Sequence, residues 1–383
     1  MRQLASIQKI KDIQPIPNAD AIEVATVLGW KVVVRKGQYS IGDLVVYVEI
    51  DSLMPDKPEF DFLRDSKGVI RKIRTVKLRG QISQGIVFPL SILPFWSGNP
   101  GDYREGADVT EALEVTKYEP ELPANLVGHK KSPYRYKYKW LPNWFYGIAR
   151  KVLTQKQFKD YLCIFVDNGF PQFIPKTDET RVQVLQPLLT KYKGTKCYIT
   201  EKVDGSSITI YLKDGKFGVC SRNVDLKEEP GNAFWDTVRE LGIEEKMREY
   251  ANSKVNWALQ GELLGEGIQG NKLKLKGHTI RFFNVFDIDT QEYFGFQEFG
   301  TLITMLGLET VPVLTTNYIL DDDIDSLVEL AKGNSVITPQ VKREGIVIRP
   351  LQEITDSELH CQLVRNRVSF KAINPEFLLK YSD

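Results

Sequence analysis

Short runs of alternating apolar and polar residues, punctuated by glycine, proline and aspartate, occupy the first quarter of the chain. Lys31-Val32-Val33-Val34, Leu44 to Ile50 and Ser83 to Phe88 are rich in β-branched and aromatic residues and predict strands. An all-β module of this size, from Leu4 to about Leu93, is expected to be a barrel or a sandwich. Further along, the periods mix. Ile208 to Leu212 alternates as a strand and turns back at Lys213-Asp214-Gly215-Lys216, while Trp257 to Gly265 and Arg281 to Ile288 are apolar strands. Helices are expected from Asp108, an N-cap with Glu111 three residues on, to Val115, and from Arg181 to Lys191, which Pro187 would kink or end. Three more are expected at Ala233–Leu241 behind the N-cap Asn232, at Gln297–Leu306 and at Asp322–Lys332. Two sheets with flanking helices behind an all-β module make an α+β chain.

Within this pattern one lysine stands out. Lys202 sits between the apolar run Cys197-Tyr198-Ile199 and the turn Gly205-Ser206-Ser207, so backbone on both sides fixes where it points. Lysine is a poor nucleophile until desolvation or a neighbouring cation disfavours its ammonium. By itself, Lys-x-Asp-Gly is better read as a solvated lysine beside an Asp-Gly turn. Two acids are harder to explain blandly. Glu262 lies in the apolar Trp257–Gly265 run and Glu344 leads into Gly345-Ile346-Val347-Ile348, where a carboxylate is costly unless paired or metal-bound.

Charge and composition narrow the classes. A net charge of +1 over 383 residues makes the chain no polycation, so any nucleic-acid surface must be local. Arg71, Lys72, Arg74, Lys77 and Arg79 put five cations in nine residues, either a solvated strand face or an edge that tracks phosphates. Lys130-Lys131 and Tyr134 to Trp140 interleave cations with rings, which suits single-stranded nucleic acid or packing between domains. There is no signal-peptide pattern, and the most apolar long window, Thr301 to Leu320, is broken by Glu309 and Pro312, so no membrane partner is expected. Four scattered cysteines without C-x-x-C spacing fit a reducing cytoplasm and neither disulfides nor zinc. Gly265 to Gly270 matches G-x-G-x-x-G literally. The residues after it, Asn271 to Gly277, alternate and stop, offering no helix N-terminus to a pyrophosphate, so this loop is expected to shape the entry to a site instead.

Taken in order, Lys202-Val203-Asp204-Gly205, Ser221-Arg222-Asn223, the strand with Glu262, the aromatic strand Arg281–Ile288, Arg343-Glu344-Gly345 and Ser369-Phe370-Lys371-Ala372 form a series. It resembles the covalent nucleotidyltransferases, the superfamily of polynucleotide ligases and RNA capping enzymes, and among them the ATP-dependent RNA ligases. The likeness covers roughly the last two hundred residues, while Pro17-Asn18-Ala19-Asp20 and Lys77 to Gly85 resemble OB barrels that bind tRNA. It implies an OB-fold-like module at 1–118, a basic and aromatic connecting segment at 119–160, and a two-sheet, ATP-grasp-like nucleotidyltransferase domain at 161–383. Ser207 stands where many DNA ligases carry arginine, which favours the RNA-ligase branch. Ser369 replaces the first residue of the usual Lys-x-Lys, and the OB-like module lies in front of the motifs rather than behind them.

By that resemblance, Lys202 attacks the α-phosphate of ATP, and the adenylate passes to an RNA 5′-phosphate before a 3′-hydroxyl seals the strand. Lys371 is implied at the α-phosphate and Arg222 at the ribose or the incoming 5′-phosphate, with Glu201, Asp204 and Gly205 in the nucleotide pocket. Glu262 would hold the ribose hydroxyl and, with Glu344, a divalent ion, Mg²⁺ or Mn²⁺. Phe286 would stack on adenine, with Phe283 on the other face of the strand in reserve. An isolated aromatic on a strand is by itself better read as core packing. The implied partner is RNA with 3′-hydroxyl and 5′-phosphate ends, as a nicked duplex or RNA/DNA hybrid, gripped by Arg71, Lys72, Arg74, Lys77 and Arg79. The enzyme is expected to be monomeric and cytoplasmic. A DNA ligase, a capping-type guanylyltransferase, or a non-catalytic RNA-binding protein with an inert Lys202 are the alternatives.

Overall fold

The computed structural model describes residues 3–118, 134–136, 138, 142, 145–146, 149, 163–165, 169–251, 256–357 and 366–381. The basic and aromatic segment at 119–160 lies for the most part outside the described residues. The chain forms two compact units that cut across its linear order, one made of 1–121, 179–203 and 312–383, the other of 122–178 and 204–311.

The first unit begins with β1 (Ala5–Pro15), β2 (Ile22–Val27), β3 (Trp30–Arg35), β4 (Leu44–Val48) and β5 (Ile86–Pro89), an antiparallel sheet in the order β3-β2-β1-β4-β5. Its two edges are drawn together just before β5, where Val33 N–H donates to Ser83 Oγ (2.9 Å) and Gln84 N–H to Lys31 O (2.8 Å). The sheet thereby curls around Ile7, Ile10, Trp30, Tyr47 and Val48, hiding edges that would otherwise pair with other chains. The helix expected at Asp108–Val115 is instead a turn. Its polar groups are taken by β1: Val109 N–H donates to Ala5 O (3.0 Å), and Thr110 Oγ1 accepts Leu4 N–H (3.0 Å). Within the basic stretch only Val76–Leu78 is a strand, paired with Gln81–Ser83.

Beyond the barrel the chain runs through β6 (Thr180–Arg181), α1 (Gln186–Tyr192), β7 (Lys196–Lys202), β8 (Ser206–Lys213), β9 (Lys216–Ser221) and β10 (Asp225–Leu226). Then come α2 (Ala233–Glu240), α3 (Ile243–Ala251), β11 (Trp257–Gly265), β12 (His278–Asp287), β13 (Glu292–Tyr293) and α4 (Phe296–Met305). The last elements are β14 (Val313–Ile319), α5 (Ile324–Leu330), β15 (Gly345–Pro350), β16 (Phe370–Ile373) and α6 (Pro375–Tyr381). Pro187 opens α1 rather than ending a helix, in the first turn, where its missing N–H costs nothing.

A second sheet of the first unit has the order β6-β16-β15-β7-β14, with only β6 and β16 parallel. One face buries Ile199, Ile346, Ile348, Phe370 and Ala372 against Leu188 and Leu327 of α1 and α5. The barrel is fastened to this sheet. Gly29 N–H donates to Gln183 O (2.9 Å), and Arg181 donates to Asp51 (2.8 Å) with its guanidinium over the Trp30 ring. The second unit is built on an antiparallel sheet in the order β10-β9-β8-β11-β12-β13. Ile208, Ile210, Leu259 and Phe282 pack there with Phe234 and Val238 of α2 and Phe299 of α4. Asn232 caps α2, accepting Phe234 N–H at 3.0 Å.

Candidate active site

Strand register decides what accompanies Lys202. In β7, Cys197 and Ile199 face the core, so strict alternation puts Glu201 on that face and Lys202 on the opposite one. Lys202 pairs with Gly345 and Thr200 with Val347, and Val347 pairs in turn with Lys371. Directly opposed residues share a face, so Lys202 and Lys371 emerge on the same side of the sheet. Glu344 immediately precedes β15, and its Oε2 accepts from Lys202 Nζ at 2.6 Å, both side chains being half-buried. Asn374 sets the backbone of Glu344. Its own N–H donates to Glu344 O (2.9 Å), and its fully buried side chain donates from Nδ2 to Arg343 O (3.0 Å). The same side chain accepts Glu376 N–H at 3.0 Å, capping α6. Ser369, in place of the usual lysine, is buried and accepts from Arg349 Nε at 2.8 Å, while Arg349 also binds Glu179 at 2.9 Å.

Glu201 requires a correction. Its side chain does not join Lys202 but is buried on the core face, where Oε2 accepts Val336 N–H at 2.7 Å. Burial pushes its carboxyl above the usual carboxylate range. It anchors the loop leading to Glu344 instead of facing a nucleotide.

The second unit gathers a separate set. Asp204 pairs with Lys272 Nζ at 2.8 Å. Gly205 N–H donates to Glu262 Oε1 at 3.2 Å, and a Cβ at Gly205 would lie 2.4 Å from Leu263 O, so only glycine fits there. Ser207 Oγ lies 2.5 Å from Thr177 Oγ1. Arg222 is exposed and paired with Asp178. The chain passes from one unit to the other between Val203 and Asp204, so Lys-x-Asp-Gly contributes to both.

Phe286 also requires a correction. It is fully buried among Phe170, Ile174, Tyr211 and Ile288 and meets Tyr293 edge to face, leaving no surface for a base. Phe286 pairs with Ala258, on the face of the sheet that carries Glu262, but Phe170 and Ile174 cover it there; a β-bulge decides its register. Gln260 pairs with Asn284 and Gly261 with Phe282, so Phe283 is set outside the ladder, half-buried. Among the barrel cations, Arg71, Arg74, Lys77 and Arg79 are exposed, whereas Lys72 is half-buried with its ammonium 4.6 Å from the Tyr118 ring centroid. Lys272 and Asn374 were not singled out from sequence. Asn374-Pro375 carried a signal, a capping residue before a first-turn proline, but Lys272 carried none.

A family model described as an OB-fold domain matches residues 4–90, and one described as RNA ligase matches residues 195–373, from β7 to β16. No curated protein matches the chain. Among solved structures, a Naegleria gruberi RNA ligase with PPi is similar at 34% identity, with 100% of both chains covered and a TM-score of 0.79. A mutant of that ligase with AMP and Mn is 34% identical over 100% of both chains, with a TM-score of 0.78. Another with ATP and Mn is 34% identical over 98% of both chains, with a TM-score of 0.77. Identity at that level along the whole length exceeds a shared fold, and the chain belongs to the RNA ligase family, with an OB-fold module ahead of its ligase sheets.

Proposed function

We propose that this chain is an ATP-dependent RNA ligase that joins 3′-hydroxyl and 5′-phosphate ends at nicks in duplex RNA or RNA/DNA hybrids. The observation that carries the reading is the pair Lys202–Glu344 at 2.6 Å, with Lys371 on the same face of the sheet. The ATP- and Mn-containing structures of the Naegleria ligase support the choice of nucleotide. An ion-paired lysine is charged and cannot attack, so Lys202 has to leave Glu344 and shed its proton first. Its amine then attacks the α-phosphorus, the bond to the β-phosphate oxygen breaks, and pyrophosphate departs. An RNA 5′-phosphate oxygen next takes the adenylate, breaking the P–N bond and restoring the amine, and the 3′-hydroxyl displaces AMP. Lys371 offers positive charge to the phosphate as negative charge builds on it. Glu262, which accepts the Gly205 N–H, is the proposed ribose contact, and Phe283 takes over the proposed stacking role from Phe286.

A divalent ion suits Glu344. Among the described residues no group of three or more His, Cys, Asp or Glu side chains forms a cage. Mg²⁺ commonly takes one or two carboxylates and completes its shell with water and substrate phosphates, which fits a single hard oxygen donor here. Bound there, Mg²⁺ or Mn²⁺ would neutralise phosphate charge. Arg71, Arg74, Lys77 and Arg79 are proposed to grip RNA. A monomer in a reducing cytoplasm is the proposed setting, since Cys197 and Cys220 are buried thiols outside any disulfide.

The test is transfer of label from α-labelled ATP. The wild type should form an acid-labile, base-stable adduct that Lys202→Ala lacks. An adduct that persists in the variant, or that forms only with GTP, overturns the reading.

A further inference from the structure

The loop between β11 and β12, residues 266–277, carries none of the motif residues. It lacks regular structure, yet its backbone is fixed at close intervals. Glu266 N–H donates to Gly277 O (3.1 Å) at its base. Asn271 donates to Leu275 O (2.8 Å) and accepts Leu275 N–H (3.0 Å), stapling its far half. Ile268 and Leu273 are buried beneath it. Gly265 stands at φ +132°, where a Cβ would lie 2.0 Å from Gly277 O, so the mouth closes this tightly only with glycine.

The lysines of this frame divide in two. Lys272 turns to the Asp204 carboxylate at 2.8 Å and ties the loop to the Lys-x-Asp-Gly turn. Lys274 and Lys276 are exposed and take part in no ion pair among the described residues. No acid occurs from 267 to 277, although acids and cations are almost equal in number over the chain, at 50 and 51. With Glu266 at its base as the one acid of the loop, and Lys272 paired to Asp204, the positive charge that remains is that of Lys274 and Lys276. A fixed loop loses little freedom when it binds, which favours a contact over mere solvation. Exposed cations suit an extended polyanion, whereas a nucleotide is normally held in a recess.

We propose that the 266–277 loop is a second RNA contact of this ligase, with Lys274 and Lys276 holding backbone phosphates of the RNA beside the reacting end and Lys272 holding the loop in place. The inference rests on the RNA ligase reading. Its test is binding of a fluorescently labelled nicked RNA duplex, without ATP, by the full chain and by Lys274→Ala/Lys276→Ala, followed by anisotropy between about 50 and 200 mM salt. Each phosphate contact contributes about 0.7–0.9 to the slope of log K against log salt, so the double variant should lose about 1.4–1.8. Lys274→Arg/Lys276→Arg should keep the slope, and the melting temperature reports the fold. An unchanged slope in the alanine pair overturns the proposal, as does an arginine pair as weak as the alanine pair. A raised KM for ATP at constant slope overturns it in favour of a triphosphate contact. If the wild-type chain shows no salt-dependent grip on RNA, the ligase reading falls, and the loop proposal with it.

Discussion

The two ligase sheets hold their charged residues in different ways. In the first unit, motif residues hold one another: Lys202 binds Glu344, and strand register puts Lys371 on the same face. In the second unit, two motif charges are held by residues outside the motif series: Asp204 by Lys272 and Arg222 by Asp178. Glu262 is satisfied by the Gly205 backbone. A sheet in which the motif residues hold each other should fail abruptly when one is lost. A sheet that borrows partners from loops should fail by degrees.

The sharpest break of that contrast is Lys202→Ala, which should abolish the labelled adduct altogether; label transfer from ATP is the measurement. Next comes Glu344→Ala, expected to slow lysine adenylation by on the order of 10²-fold or more, since it removes both the lysine's partner and a hard oxygen donor. Single-turnover adenylation within a few-fold of wild type would show that the pair is structural. The second unit should respond differently. Phe286→Ala should cost about 3–5 kcal/mol of stability, as a buried ring replaced by a cavity does, and urea melts would read it. Phe283→Ala should leave the melt nearly unchanged and raise KM for ATP, since stacking on a base contributes about 1–3 kcal/mol, or roughly 5- to 150-fold. The reverse pattern would return adenine to Phe286.

The smallest effect concerns Glu201. Burial raises its carboxyl above the ordinary range, so the folded state holds that proton more tightly than the unfolded chain does. The stabilisation is full below the ordinary glutamate value of about 4.3 and fades as pH rises through the folded-state value. Glu201→Gln keeps an acceptor for Val336 N–H and never ionises. Its melting temperature should therefore fall less than that of wild type between acid and neutral pH, and parallel curves would remove the assignment.

How much of this was legible in the sequence follows from the same contrast. Lys202, Glu344 and Lys371 lie in or beside regular strands, where alternation alone fixes the face. That rule also puts Glu201 opposite Lys202, so the signal that would have removed it from the nucleotide pocket was present. Phe286 failed for another reason: it shares a face with Glu262, but Phe170, Ile174 and Tyr293 cover it, and that cover depends on tertiary placement. Asp108–Val115 shows caps without a helix, since hydrogen bonds to Leu4 and Ala5 won. Loop partners such as Lys272 depend on tertiary placement. The division of the chain was equally hidden, because β7 leaves its neighbour β8 in sequence to share a unit with the barrel.

Asn374 has a consequence for what sequence drift can reach. It gives an acceptor to α6, through Glu376 N–H, and a donor to the strand that sets Glu344, through Arg343 O. Aspartate, serine or threonine would still cap the helix. Aspartate has no N–H to give the carbonyl, and the hydroxyl of serine or threonine is too short to serve both partners at once. A single substitution that looks harmless for the helix therefore loosens the carboxylate that pairs with Lys202. Helix α6 and the Lys202 site are bound to change together or not at all.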